Sequence, residues 1–160
     1  NSCTLRVQLH RWIQNGKLQA LRRGMYALGK VYRRVPVCAP ELANGLYSPS
    51  YLSFHWALGF YGIIPEKVVS YTSATTRVPR TFENEIGRFR YIHIKRSCFS
   101  GYRVLQIDHR RVLIAEPEKA LMDLWHIEQG EWDKERMSGM RFQWNSKVSP
   151  WKLRLFGAPV

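Results

Sequence analysis

Apolar residues recur at two periods along this chain, and the switches between them mark its elements. From Arg111 the sequence runs Arg-Val-Leu-Ile-Ala-Glu-Pro-Glu-Lys-Ala-Leu-Met-Asp-Leu-Trp-His, ending at His126. Val112 to Ala115 is an apolar run of strand length. Glu116 interrupts it, and Pro117 follows where a first helical residue would sit; its fixed φ suits that place and its missing N–H would have had no partner there. Glu116 and Glu118 set negative charge at the positive end of the helix dipole. Beyond them Ala120, Leu121, Leu124 and Trp125 share one face. The pattern predicts a buried strand that delivers a capped helix back onto its own sheet. Lys119 and Asp123 lie four apart and are expected to pair at the surface, with Asp123 a solvated or capping carboxylate.

At the other end, Leu5, Leu9, Trp12 and Ile13 recur at helical spacing and predict an amphipathic helix from about Thr4 to Asn15, ended by Gly16. With that stripe turned inward, Thr4, Val7, His10, Arg11 and Gln14 point outward, and Arg6 and Gln8 flank them. Two short strand-like pieces follow, Lys17 to Leu21 and Gly24 to Leu28, around a tight turn that carries Arg22 and Arg23. A helix followed at once by such a hairpin corresponds to the C-terminal half of a winged helix-turn-helix, assigned to residues 1–34. The prolines Pro36 and Pro40 and the loss of any clear period mark residues 35–44 as a linker. Residues 45–160 form the second domain.

Within that domain Pro49 to Ser53 leads into a helix through Tyr61, stopped by Gly62. Its aromatics (Phe54, Trp56, Phe60, Tyr61) are expected to pack inside. Val68 to Thr72 reads as a strand, and Arg80 to Lys95 as a hairpin turning near Asn84 to Gly87. In its second arm Phe89, Tyr91 and His93 alternate with Arg90, Ile92 and Ile94, with His93 packed or at the surface. Further strands are expected at Tyr102 to Ile107 and Arg111 to Ala115, then a short strand near Met140 to Gln143 and a helix after Pro150. The fold class predicted is α+β: a partial N-terminal winged helix-turn-helix followed by a mixed α/β domain.

Charge changes the picture most. The chain has 25 Lys+Arg against 12 Asp+Glu, a net +13. Residues 1–40 hold eight basic residues and no acidic one, which leaves +5 for the remaining 120. A basic pole of this kind suits a polyanion, most often nucleic acid, with a membrane surface second. An outward helix face bearing Thr4, Arg6, Val7, His10 and Arg11 fits a major groove, whose base edges suit arginine, threonine and small apolar contacts. Lys17, Arg22 and Arg23 fit phosphates or a narrow minor groove. The bland alternative is a solvated, merely basic surface.

Cys3, Cys38 and Cys98 are odd in number and widely spaced, which argues for a reducing cytoplasm and against a disulfide scaffold or a zinc site. No run of about 18 apolar residues predicts a transmembrane helix, and Arg6, His10 and Arg11 break any signal-peptide pattern. No cofactor motif is present. The chain lacks G-x-S-x-G, a P-loop, H-E-x-x-H and a close Asp pair, so an enzyme is not expected. Ser97-Cys98-Phe99-Ser100-Gly101 has the composition of a nucleophile site, yet spacing assigns it no base, and Cys98 reads as a packed thiol. Residue 1 is not Met and adjoins a helix, so the natural protein is expected to start upstream, with the first helices of the winged domain.

Five pieces in order, Leu21-Arg-Arg-Gly-Met-Tyr-Ala-Leu, Pro49-Ser-Tyr-Leu-Ser with Ala57-Leu58, Gly62-Ile-Ile-Pro-Glu, Phe89 to Lys95, and Ile114-Ala-Glu-Pro-Glu-Lys-Ala-Leu-Met-Asp-Leu, resemble the AbiEi-type antitoxin family. The resemblance runs from about Leu5 to Phe142. It implies a winged helix-turn-helix joined to a C-terminal antitoxin domain, and transcriptional autorepression. It also implies type IV neutralisation of a nucleotidyltransferase-like toxin without a stable complex. The partners so implied are double-stranded operator DNA with inverted repeats and that toxin, with no membrane. A winged-helix transcriptional regulator with no toxin partner is the alternative; an adjacent toxin gene discriminates between them.

Overall fold

The computed structural model describes residues 2–128 of the chain. The first helix, α1 (Ser2–Gln14), ends where Gly16 adopts a left-handed φ of +66°. The Gly16 and Lys17 amides there donate back to the Ile13 and Trp12 carbonyls at 3.0 and 2.8 Å. Strands β1 (Leu18–Arg22) and β2 (Met25–Leu28) pair antiparallel around Arg23 and Gly24, with a register shift between Ala20 and Arg22. The predicted helix–turn–hairpin order therefore stands, with ends displaced by a residue or two.

The apolar stripe of α1 is covered only toward its C-terminal end. Leu9, Trp12 and Ile13 are half-buried, while Leu5 is 59% exposed. Inward placement of Leu5 is thus corrected, because the hairpin reaches only the later turns of the helix. The hairpin does reach the main core: Leu21 is buried in it, with Met25 and Ala27 packed against its edge.

The stretch read as a linker, 35–44, holds the first six residues of helix α2 (Ala39–Leu46). Pro40 near the helix start needs no N–H partner, and Leu42, Ala43 and Leu46 bury one face. The polar Asn44 is tied to the sheet, its Nδ2 donating to the Leu113 carbonyl at 3.2 Å and its Oδ1 accepting the Leu113 amide at 2.7 Å. Pro49 to Ser53 is not merely a lead-in to a helix. Ser50–Leu52 forms β3, three residues all buried. Its shortness and mixed polarity hide it from a periodicity test, which needs about four alternating residues. Helix α3 (Phe54–Tyr61) follows and stops at Gly62 in the left-handed conformation. Of its aromatics Phe54 and Tyr61 are buried and Trp56 half-buried, but Phe60 is 44% exposed, against expectation.

The strand expected at Val68 to Thr72 lies further on, as β4 (Tyr71–Thr75), and Val69 is 80% exposed. Strands β5 (Arg80–Asn84) and β6 (Gly87–His93) form the predicted hairpin, with Phe89 and Tyr91 inward. His93 lies at the surface, its Nδ1 3.1 Å from the Arg77 carbonyl oxygen. After a 3-10 turn (Arg96–Cys98), β7 (Tyr102–Ile107) and β8 (Arg110–Ala115) pair across Asp108 and His109, both at positive φ. Helix α4 (Pro117–Ile127) then starts as predicted, with Glu116 as N-cap and Ala120, Leu121 and Leu124 fully buried. The strand expected at Met140 to Gln143 and the helix after Pro150 lie outside the described residues.

The strands among the described residues form a two-stranded sheet and a six-stranded mixed sheet in the order β5-β6-β4-β3-β8-β7, so the fold is α+β. β3 pairs antiparallel with β4 and parallel with β8, and β4 pairs parallel with β6. Burial of all three β3 residues follows from its central place, with helices on both faces. Period-two alternation sends Tyr91 to one face, where its hydroxyl donates to the Ala43 carbonyl of α2 at 2.5 Å. It sends Tyr51 to the other, where α4 lies. No described helix is long and apolar enough to cross a membrane.

Candidate nucleic-acid interface

All eight residues singled out for DNA contact (Thr4, Arg6, Val7, His10, Arg11, Lys17, Arg22 and Arg23) are exposed. Thr4, Val7 and Arg11 fall at i, i+3 and i+7 on α1, one outward stripe, and Arg6 and His10 stand beside it. Helix and hairpin are joined closely. The Gly29 amide donates to the Lys17 carbonyl at 2.8 Å, and a Cβ on Gly29 would stand 1.8 Å from the Gly16 carbonyl oxygen. Only glycine allows that approach.

The hairpin tip is braced on the large sheet. Asn84, at the end of β5, donates from Nδ2 to the Leu21 carbonyl at 3.0 Å, and its Oδ1 accepts the Ile86 amide at 2.8 Å. The two tip arginines differ. Arg22 is the exposed last residue of β1, and its charge opposes the larger rise that burial gives the Tyr91 phenol. Arg23 occupies the turn itself. The fold also brings carboxylates to a segment that has none of its own. Glu83 and Glu85 line a cleft with Lys30 and with Gln19 of β1. Within the cleft region Arg33 donates from Nη2 to Gln19 Oε1 at 3.1 Å.

A second group of polar residues went unrecognised in the sequence. Lys119 and Asp123 do not pair at the surface; they are 4% and 2% exposed, and Lys119 Nζ donates to Asp123 Oδ1. Asp123 Oδ2 accepts the Tyr51 hydroxyl at 3.0 Å and the Ser53 hydroxyl at 2.6 Å. Burial pushes the Asp123 carboxyl above its ordinary range, opposed by the Lys119 charge and by hydrogen bonds from Lys119, Ser53 and Tyr51. Burial, then the Asp123 charge, raises the Tyr51 phenol as well. Helical spacing correctly put Lys119 and Asp123 side by side. It could not show that β3 and α3 close over them, since Tyr51 and Ser53 are 72 and 70 residues from Asp123.

Beside the pair lies a cavity of about 340 Å³. Ser97, Cys98 and Ser100 form one wall, and Lys119, Met122, Asp123 and His126 of α4 the other. The Ser97–Ser100 segment, which spacing left without a base, thus faces an imidazole and a buried ion pair. Cys98 is half-buried at the wall rather than wholly packed, with Ser97 Oγ 4.0 Å from its sulfur. Among the described residues no group of three or more His, Cys, Asp or Glu could hold a metal ion. No protein-family model matches this chain, and no curated protein matches it.

Proposed function

We propose that this protein is a cytoplasmic, DNA-binding transcriptional autorepressor of the AbiEi antitoxin type, which counteracts a nucleotidyltransferase-like toxin without a stable complex and catalyses no reaction. In this reading α1 is the recognition helix and the β1–β2 hairpin the wing of a winged helix-turn-helix. The observation that carries it is the exposure of all eight candidate side chains on one helix–hairpin unit whose own sequence has no carboxylate. The close approach of Gly29 to Gly16, with the Gly29 amide bonded to the Lys17 carbonyl, supports it by holding the hairpin against the end of the helix. The partner is double-stranded operator DNA, with inverted repeats implied by the family resemblance.

Binding of the full chain to operator and scrambled duplexes over a salt series, read by fluorescence anisotropy, tests the DNA half. Removing a side chain that touches one phosphate lowers the slope of log K against log salt by about 0.9. Arg22→Ala and Arg23→Ala, both at exposed positions, should each carry that effect. Substitutions at Thr4, Val7 or Arg11 cost about 1–3 kcal/mol on the operator alone. An unaltered slope for the double arginine variant removes the hairpin from the interface. Co-expression with the toxin of the adjacent reading frame tests the other half: operator binding without rescue of growth leaves a regulator with no toxin partner.

A further inference from the structure

The cavity between the Ser97–Ser100 loop and α4 has features that packing alone does not call for. Of the seven buried residues of α4, Pro117, Ala120, Leu121 and Leu124 are apolar and Glu118, Lys119 and Asp123 are charged. An ion pair on the same helix face stabilises a fold less readily than apolar residues of similar size, since both charges lose water. Lys119 and Asp123 nevertheless sit there, at the cavity wall.

The bonding of the two partners is unequal. Asp123 accepts three hydrogen bonds, from Lys119, Tyr51 and Ser53, and is well provided for. Lys119 has three N–H donors, and among the described residues it gives one, to Asp123. Asp123 thus holds the ammonium in place with donors in reserve, and the lysine borders the cavity. The other polar groups around the space are donors too: the Ser97 and Ser100 hydroxyls and the His126 imidazole. Lys95 and Arg96, both exposed, immediately precede Ser97 in the chain. Met122 supplies an apolar patch.

We propose that this cavity binds a phosphate group, alone or as the head of a small phosphomonoester, with Lys119, Ser97, Ser100 and His126 as its ligands. A tetrahedral oxyanion offers several acceptors in different directions, which matches donors placed on two opposing walls. The volume, about 340 Å³, falls in the range of small-molecule sites and leaves room for an organic portion against Met122. Cys98 borders the site without being required by it. The inference is independent of the DNA reading, because none of these residues belongs to α1 or the hairpin.

The test is a titration of the full ¹⁵N-labelled chain with inorganic phosphate and, separately, with glycerol 3-phosphate, against sodium chloride at matched ionic strength. Saturable amide shifts confined to Ser97–Ser100 and Lys119–His126 are expected. Ser97→Ala with Ser100→Ala, and separately His126→Ala, should each weaken binding about tenfold, the size of a hydrogen bond to a charged group. All three positions are polar and at or near the surface, so the melting temperature should stay unchanged, unlike that of a Lys119 variant. Tighter binding of the ester places its organic part in the cavity; equal binding makes inorganic phosphate the ligand, and either supports the site. Three results would overturn it: no saturable shifts at these residues, variants that bind like the parent, or equal shifts around Lys17 and Arg23, which would mean diffuse attraction to a +13 chain. A chain that binds phosphate here but no duplex would keep this site while ending the DNA proposal.

Discussion

Replacing Lys119 by methionine isolates the energetic consequence of burying the α4 ion pair. Methionine keeps most of the lysine stem and removes the ammonium, leaving the Asp123 carboxylate 2% exposed without its counter-charge. Were the pair at the surface, as helical spacing alone suggests, its loss would cost about 0.3–0.5 kcal/mol. For a buried pair the cost of removing one partner is about 3–5 kcal/mol. The Tyr51 and Ser53 hydroxyls still bond the carboxylate and soften the penalty. Protonating Asp123 offers another escape: at pH 7, neutralising a carboxyl of ordinary pKa near 3.9 costs about 4 kcal/mol, an upper bound that burial lowers further. A loss of about 3 kcal/mol is therefore expected, a large part of a typical total of about 5–15 kcal/mol. With a urea m-value of about 1–3 kcal/mol/M, the denaturation midpoint followed by circular dichroism should fall by about 1–3 M. Asp123→Leu should also destabilise, by leaving the buried Lys119 ammonium without its counter-charge and by orphaning the Tyr51 and Ser53 hydroxyls at about 1–3 kcal/mol each. The double variant should cost less than the two singles added, because they share one interaction. A midpoint that moves by no more than a surface pair allows would refute the buried-pair argument.

Leu121→Asp places an unpaired charge in the core and should abolish the cooperative melt; an unchanged transition by circular dichroism would mean the α4 face is misassigned. Tyr51, Tyr61, Tyr71 and Tyr91 all have phenols raised above 10, chiefly by burial. The folded chain therefore holds more protons than the unfolded one above that pH, and stability falls as pH rises through it, by up to about 1.4 kcal/mol per pH unit for each tyrosine. Tyr91→Phe should flatten that fall in alkaline denaturation curves, and an unchanged pH slope would contradict it. Gly29→Ala sets a Cβ 1.8 Å from the Gly16 carbonyl oxygen, so helix and hairpin must part. DNA affinity in the anisotropy assay should drop while the core melt stays within about 1 kcal/mol of the parent; unaltered affinity would separate the joint from binding.

Much of the fold was legible along the chain because its signals are local. The Glu116-Pro117 start of α4, the stops at Gly16 and Gly62, the β1–β2 and β5–β6 hairpins and the apolar face Ala120–Leu121–Leu124 each depend on residues within a few positions of one another. Backbone stereochemistry and period are enough to place such features. The eight basic, hydroxyl, imidazole or small residues of α1 and the hairpin were also found exposed where the pattern put them.

What the sequence could not decide is who faces whom across long separations. β3 is three residues long and has no period of its own; it is a strand because β4 and β8 lie on either side. Lys119 and Asp123 carry the same i, i+4 signature in water or in a core, and only closure by Tyr51 and Ser53 makes them a buried pair. The same closure sets Ser97 and Ser100 opposite His126. Likewise Leu21 is anchored by Asn84, 63 residues away, and the carboxylates Glu83 and Glu85 arrive beside a segment that has none. Burial and electrostatic environment are properties of the assembled surface, and they arise only when strands distant in sequence pair and the helices settle on their faces.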